Sequence, residues 1–96
     1  MSAKTYVVEF TRFASKQISR LPKPIHEAVI EWREAVERFG LREVRKTRGY
    51  HDEQLKGQRR GRRSVRLNRF YRLIYVRSDR GEVVVIGVLE VHKHDY

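Results

Sequence analysis

Apolar positions near the start of the chain alternate before they settle into a helical period. Tyr6, Val8 and Phe10 alternate with Val7 and Glu9, a β-branched and aromatic run that predicts a short strand. Thr11 follows, and its hydroxyl is suited to cap a helix. Ala14, Ile18 and Leu21 then recur at spacings of three and four, one face of that helix, until Pro22 and Pro24 stop it because neither can donate to the helical ladder. Pro24 is equally well placed as an early residue of a second helix. In that helix Ile25, Ala28, Val29, Trp32, Val36 and Phe39 form one apolar stripe, with Glu27, Glu31, Glu34 and Glu37 off it. Gly40 ends it, as a residue that tolerates a left-handed backbone. So short a link predicts an antiparallel helix hairpin.

Residues 41–53 carry a weaker pattern, read as a helical turn over 41–46 and then a loop. A strand is expected to end at Leu55-Lys56, before the loop at 57–61. From 63 the period becomes two: Val65 and Leu67 take one face, Ser64 and Arg66 the other. Residues 70–76 and 83–91 are nearly continuous β-type runs, and Asp79-Arg80-Gly81-Glu82 between them has the composition of a hairpin turn. The order is strand, two-helix hairpin, then three or four strands. That predicts an α+β fold, with the helices covering one face of a mainly antiparallel sheet.

Ninety-six residues suffice for one domain, 1–96, which buries about 60–65% of the surface its unfolded chain would expose. The chain has no cysteine, so disulfides and thiolate chemistry are excluded. Nothing in it matches a signal peptide or the ~20 apolar residues of a membrane span, so it is expected to act in the cytoplasm, away from membranes. Charge changes the picture most. The formal net charge is +10, and residues 42–77 hold thirteen basic residues against three acidic ones, so the whole excess lies in that segment. A field of one sign at this density attracts polyanions and binds phosphates with release of counterions. Nucleic acid is the natural partner, an acidic protein the other possibility. Lys56, Arg59, Arg60, Arg62, Arg63, Arg69 and Lys93 are the candidate RNA contacts.

The ordered set of Leu55-Lys56-Gly57, Ser64-Val65-Arg66-Leu67, Tyr71-Arg72-Leu73-Ile74-Tyr75 and the closing His92-Lys93-His94-Asp95-Tyr96, behind a strand and helix hairpin, resembles the RelE/ParE toxin superfamily of bacterial type II toxin–antitoxin systems. The resemblance implies one of two activities, each restrained by a cognate antitoxin: RNA cleavage, often of mRNA in the ribosomal decoding site, or inhibition of DNA gyrase. RNA-cutting members are similar in using a basic sheet face, an arginine in the Tyr-Arg-Leu strand, and basic or aromatic residues at the C-terminus. Arg66 matches the family's basic residue on the preceding strand. Ser64 departs from it, standing where some members carry a second lysine.

RNA cleavage without a cofactor or metal needs an acceptor for the 2′ proton, cations at the phosphate and a donor to the 5′-oxygen. Arginine suits the phosphate because its planar fork makes paired hydrogen bonds and keeps its charge. Arg72 interrupts an otherwise apolar strand, a costly position unless its head group reaches water, a ligand or an acid such as Glu90. Arg66 can join it only if the two share a sheet face, which requires an odd-length loop such as Asn68-Arg69-Phe70, or a bulge. His94 suits proton transfer near neutral pH, and Tyr96 could stack on a base or transfer a proton. Catalysis is therefore assigned to Arg72, Arg66, His94 and Tyr96. His92 and His94 lie two apart, but with no cysteine available this spacing does not make a metal motif. Trp32, Tyr71 and Tyr75 are expected to pack in the core and sheet, and His26 and His51 to be bystanders.

Overall fold

The protein is described over residues 4–93 in a computed structural model. Its elements follow the periodicity: β1 (Thr5–Phe10), α1 (Arg12–Ser19), α2 (Lys23–Phe39), α3 (Leu41–Arg45), β2 (Glu53–Gln54), β3 (Arg63–Arg66), β4 (Tyr71–Arg80) and β5 (Val83–Lys93). The strands form a single sheet in the order β1-β5-β4-β3-β2. β1 runs parallel to β5 and every other neighbouring pair is antiparallel, giving the α+β architecture expected. The strand expected to end at Leu55-Lys56 is shorter, ending at Gln54.

Helix α2 lies on one face of the sheet. Val29, Trp32 and Val36 are fully buried with Val8, Leu73, Tyr75, Ile86 and Val88, and the Trp32 and Tyr75 rings sit 5.4 Å apart. The pairing of β4 with β5 slips between Ile74 and Tyr75: Ile74 opposes Glu90, while Tyr75 opposes Val88. Leu89 is the extra residue of this bulge, so the core face of β5 changes from Val91 to Val88, Ile86 and Val84. The slip leaves Glu90 and His92 on the opposite, helix-free face.

β1 covers β5 only as far as Val88, and α1 completes that edge. Thr11 donates its backbone N–H to the Val88 carbonyl and its hydroxyl to the Leu89 carbonyl, while accepting the cap bond from Ala14 N–H at 3.0 Å. Gln17 Oε1 accepts Val91 N–H at 2.7 Å. The buried stripe of α2 stops at Val36, however, and Phe39 is 60% exposed. Gly40 turns the chain with φ of 86°, where a Cβ would stand only 3.0 Å from the Tyr6 ring, and Leu41 takes the core position in place of Phe39.

A buried carboxylate fastens the segment before β2. Asp52, its side chain 2% exposed, accepts hydrogen bonds from the Tyr75 hydroxyl at 2.7 Å and from Arg63 Nε, with Arg45 Nε 4.0 Å away. Burial and then the Asp52 hydrogen bond hold the Tyr75 phenol far above its ordinary pKa, so it remains a neutral donor. Burial opposes the Arg63 charge, but Asp52 outweighs it. Asp52→Ala strands Arg63 and the Tyr75 hydroxyl, and should destabilise the fold by about 3–5 kcal/mol, with Asp52→Asn costing less. Urea unfolding of both variants checks this; a cost below about 1 kcal/mol would show that water replaces the carboxylate freely.

Candidate functional site

Toward the β3–β4 turn the helix-free face carries mainly polar residues, with Ile74 buried among them. Its first cross-strand row is Arg66, Arg72 and His92, on β3, β4 and β5. The next is Glu53, Ser64, Ile74 and Glu90, on β2 to β5. Arg66 opposes Arg72 because the connection is a three-residue loop. Leu67 N–H donates to the Tyr71 carbonyl at 2.9 Å, leaving Asn68, Arg69 and Phe70 as the turn. Asn68 Oδ1 locks that turn by accepting from Phe70 N–H at 2.8 Å and Tyr71 N–H at 2.9 Å.

Arg72 is held rather than free. Its side chain is 14% exposed, and Nη1 donates to Ser64 Oγ at 2.9 Å. The nearby carboxylate is Glu53, 3.7 Å from Nη1, and not the Glu90 considered from sequence. Ser64, 1% exposed, thus orients the arginine from a position too buried for a free cation. Glu90 instead lies 3.1 Å from His92 Nε2, out of line for a hydrogen bond, so Nε2 has no bonded partner among the described residues. His92 Nδ1 faces the Lys93 carbonyl at 3.1 Å. Arginine, imidazole and two carboxylates therefore converge on one face, with Glu53 on one side of Arg72 and His92 on the other.

The basic loops bracket this group. The β2–β3 loop carries Lys56, Arg59, Arg60 and Arg62 at one end of β3, and the β3–β4 loop carries Arg69 at the other; all are exposed. Among the described residues these five and Arg66 make no ion pair, so their charge faces solvent. Arg63 differs from the other candidate RNA contacts: it is bound to Asp52, and its row partner Tyr75 faces the core. Lys93 opposes Tyr71, so it too leaves the face of Arg66 and Arg72, and its ammonium lies 5.8 Å from the Phe70 ring centre. His94 and Tyr96 lie outside the described residues.

Glu53, Glu90 and His92 were not singled out as site residues in the sequence. Glu53 belongs to a two-residue strand with no period of its own, and only its pairing with Ser64 places it beside Arg72. His92 and Glu90 do alternate within the last strand, but the bulge at Leu89 decides which face they take. Among the described residues no three His, Asp or Glu side chains are grouped to hold a metal ion, and no helix is long and apolar enough to cross a membrane.

No protein-family model matches the chain, and no curated protein matches it. Solved structures do. A chain of the toxin–antitoxin complex RelBE2 from Mycobacterium tuberculosis is 28% identical, with a TM-score of 0.66 over 94% of this chain and 99% of that one. YafQ from E. coli superposes with a TM-score of 0.74 at 15% identity, over 94% of each chain. The YoeB dimer from Staphylococcus aureus gives 0.63 at 20% identity, over 99% of this chain and all of the other.

Proposed function

We propose that this chain, which has the fold of the RelE-like toxins, is the toxin of a type II toxin–antitoxin pair and an endoribonuclease that cuts mRNA, on the ribosome or free, to inhibit translation. The observation that carries the reading is the row Arg66–Arg72–His92 with Glu53 beside it, on a face flanked by unpaired cations. A protein that only blocks gyrase has no use for a carboxylate and an imidazole on either side of a fixed arginine.

The chemistry follows from the placement. Transfer of the phosphorus from the 5′-oxygen to the 2′-oxygen is in line, so the proton acceptor and the proton donor stand on opposite sides of the phosphate. Arg72, fixed by Ser64, and Arg66 bind the non-bridging oxygens and stabilise the charge that grows on them. Glu53, 3.7 Å from Arg72 Nη1, takes the 2′ proton. His92, across the strand from Arg72, returns a proton to the departing 5′-oxygen. The products are a 2′,3′-cyclic phosphate and a 5′-hydroxyl, formed by the chain's own side chains. His94 and Tyr96, one and three positions after Lys93 in the sequence, are assigned to the same proton transfers. The cognate antitoxin is an acidic segment that covers the basic face, as charge complementarity requires.

The end groups of the cut RNA test the scheme, with RNA presented alone and on translating ribosomes. A cyclic phosphate and a 5′-hydroxyl are expected. Glu53→Gln and His92→Gln should each slow cleavage by about 10²–10⁴-fold. A 5′-phosphate product would contradict the scheme.

A further inference from the structure

The β3–β4 turn carries a feature that the cleavage scheme does not use. Phe70, its last residue, is 48% exposed, although turns favour small and polar residues. The ring is not needed to close the turn, which is held by Asn68 Oδ1 and the Leu67–Tyr71 bond. Two cations attend it: the Arg69 guanidinium carbon lies 5.6 Å from the ring centre and the Lys93 ammonium 5.8 Å. Neither cation has an ion-pair partner among the described residues. Phe70 is also two residues from Arg72, about 7 Å of extended chain, roughly one nucleotide step along an unpaired strand.

We propose that Phe70 is a stacking platform for an unpaired nucleobase next to the cleaved linkage, with Arg69 and Lys93 holding the phosphates on either side of that base. An aromatic face among solvent-facing cations is the arrangement by which single-stranded nucleic acid is held without sequence preference. Each base has a π-face, so the platform tolerates any sequence while it fixes where the backbone enters the Arg66–Arg72 row. The inference rests on the reading of the chain as an RNA-binding ribonuclease, and adds the group that positions the substrate.

The test is binding of a short single-stranded RNA, methylated at its 2′-hydroxyls to prevent cutting and carrying 2-aminopurine as a stacking probe. Phe70→Ala should weaken binding by about fivefold to a hundredfold and abolish quenching of the probe, with thermal stability unchanged. Phe70→Trp should restore both, and Phe70→Leu neither. The salt dependence of binding should match the wild type in all three, because no cation is removed. Wild-type affinity in Phe70→Ala, or restoration by Phe70→Leu, would overturn the platform while leaving the ribonuclease reading intact. A wild-type chain that binds no RNA would overturn that reading and the platform with it. Binding that is retained while Arg72→Ala and the wild type both fail to cut would remove the cleavage scheme and leave the platform standing.

Discussion

Arg72→Ala is expected to abolish toxicity and to slow RNA cleavage by on the order of 10²–10³, as does loss of one oxyanion donor in other enzymes. The size follows from the surroundings of the guanidinium. It is 14% exposed, its Nη1 is bonded to the buried Ser64 hydroxyl, and it stands between Glu53 and His92. A cation already oriented before the substrate arrives contributes more than a mobile surface lysine, because no reorganisation accompanies the reaction. Alanine leaves Ser64 without its donor and Glu53 without its neighbour, a loss of roughly 1 kcal/mol of stability that the fold should survive. Arg72→Lys keeps the charge and loses the fork, so a large remaining defect would indicate paired contacts to the phosphate. Circular dichroism and urea unfolding distinguish the roles. A variant that unfolds makes Arg72 structural, and one that folds and cuts normally removes it from catalysis.

The second large effect is on RNA affinity. Lys56, Arg59, Arg60, Arg62, Arg66, Arg69 and Lys93 are exposed cations without ion-pair partners among the described residues. If each neutralises one phosphate of a single strand, the logarithm of affinity should fall with that of salt at a slope of about −5. Between 50 and 200 mM salt, the expected loss is about a thousandfold. Removing Arg59, Arg60 and Arg62 together should flatten the slope by about 2 while leaving the end groups of the cut RNA unchanged. Arg63→Ala should behave differently, acting on stability through Asp52 rather than on the slope. A salt-independent affinity would show that the basic loops do not face the RNA.

The periodic parts of the fold were legible in the sequence and the site only partly so. The α2 stripe as far as Val36, the Thr11 cap and the Gly40 turn are local, and each is found where the residues implied, while Phe39, read into the same stripe, is exposed. Arg66 and Arg72 share a face, a condition the sequence could state but not decide, because the answer depended on whether the turn held two residues or three. Three effects were beyond local pattern. The bulge at Leu89 reassigns the faces of β5 and so brings His92 to Arg72. The pairing of β2 with β3 brings Glu53 there from a segment with no period. Arg63 reads like every other arginine in its run until Asp52, eleven positions earlier, is seen to be buried against it. Charge counting thus located the basic segment and could not separate Arg63, bound to Asp52, from the arginines without ion pairs among the described residues.

Primer extension on cellular RNA after brief induction of the chain, beside Arg72→Ala and with gyrase supercoiling followed in the same cells, tests the central claim most directly. The account predicts new 5′ ends within mRNA coding sequence in the wild type, none in Arg72→Ala, a prompt fall in protein synthesis and unaltered early supercoiling. Intact mRNA with continuing protein synthesis and an immediate loss of supercoiling would contradict it, and would make the chain an inhibitor of gyrase.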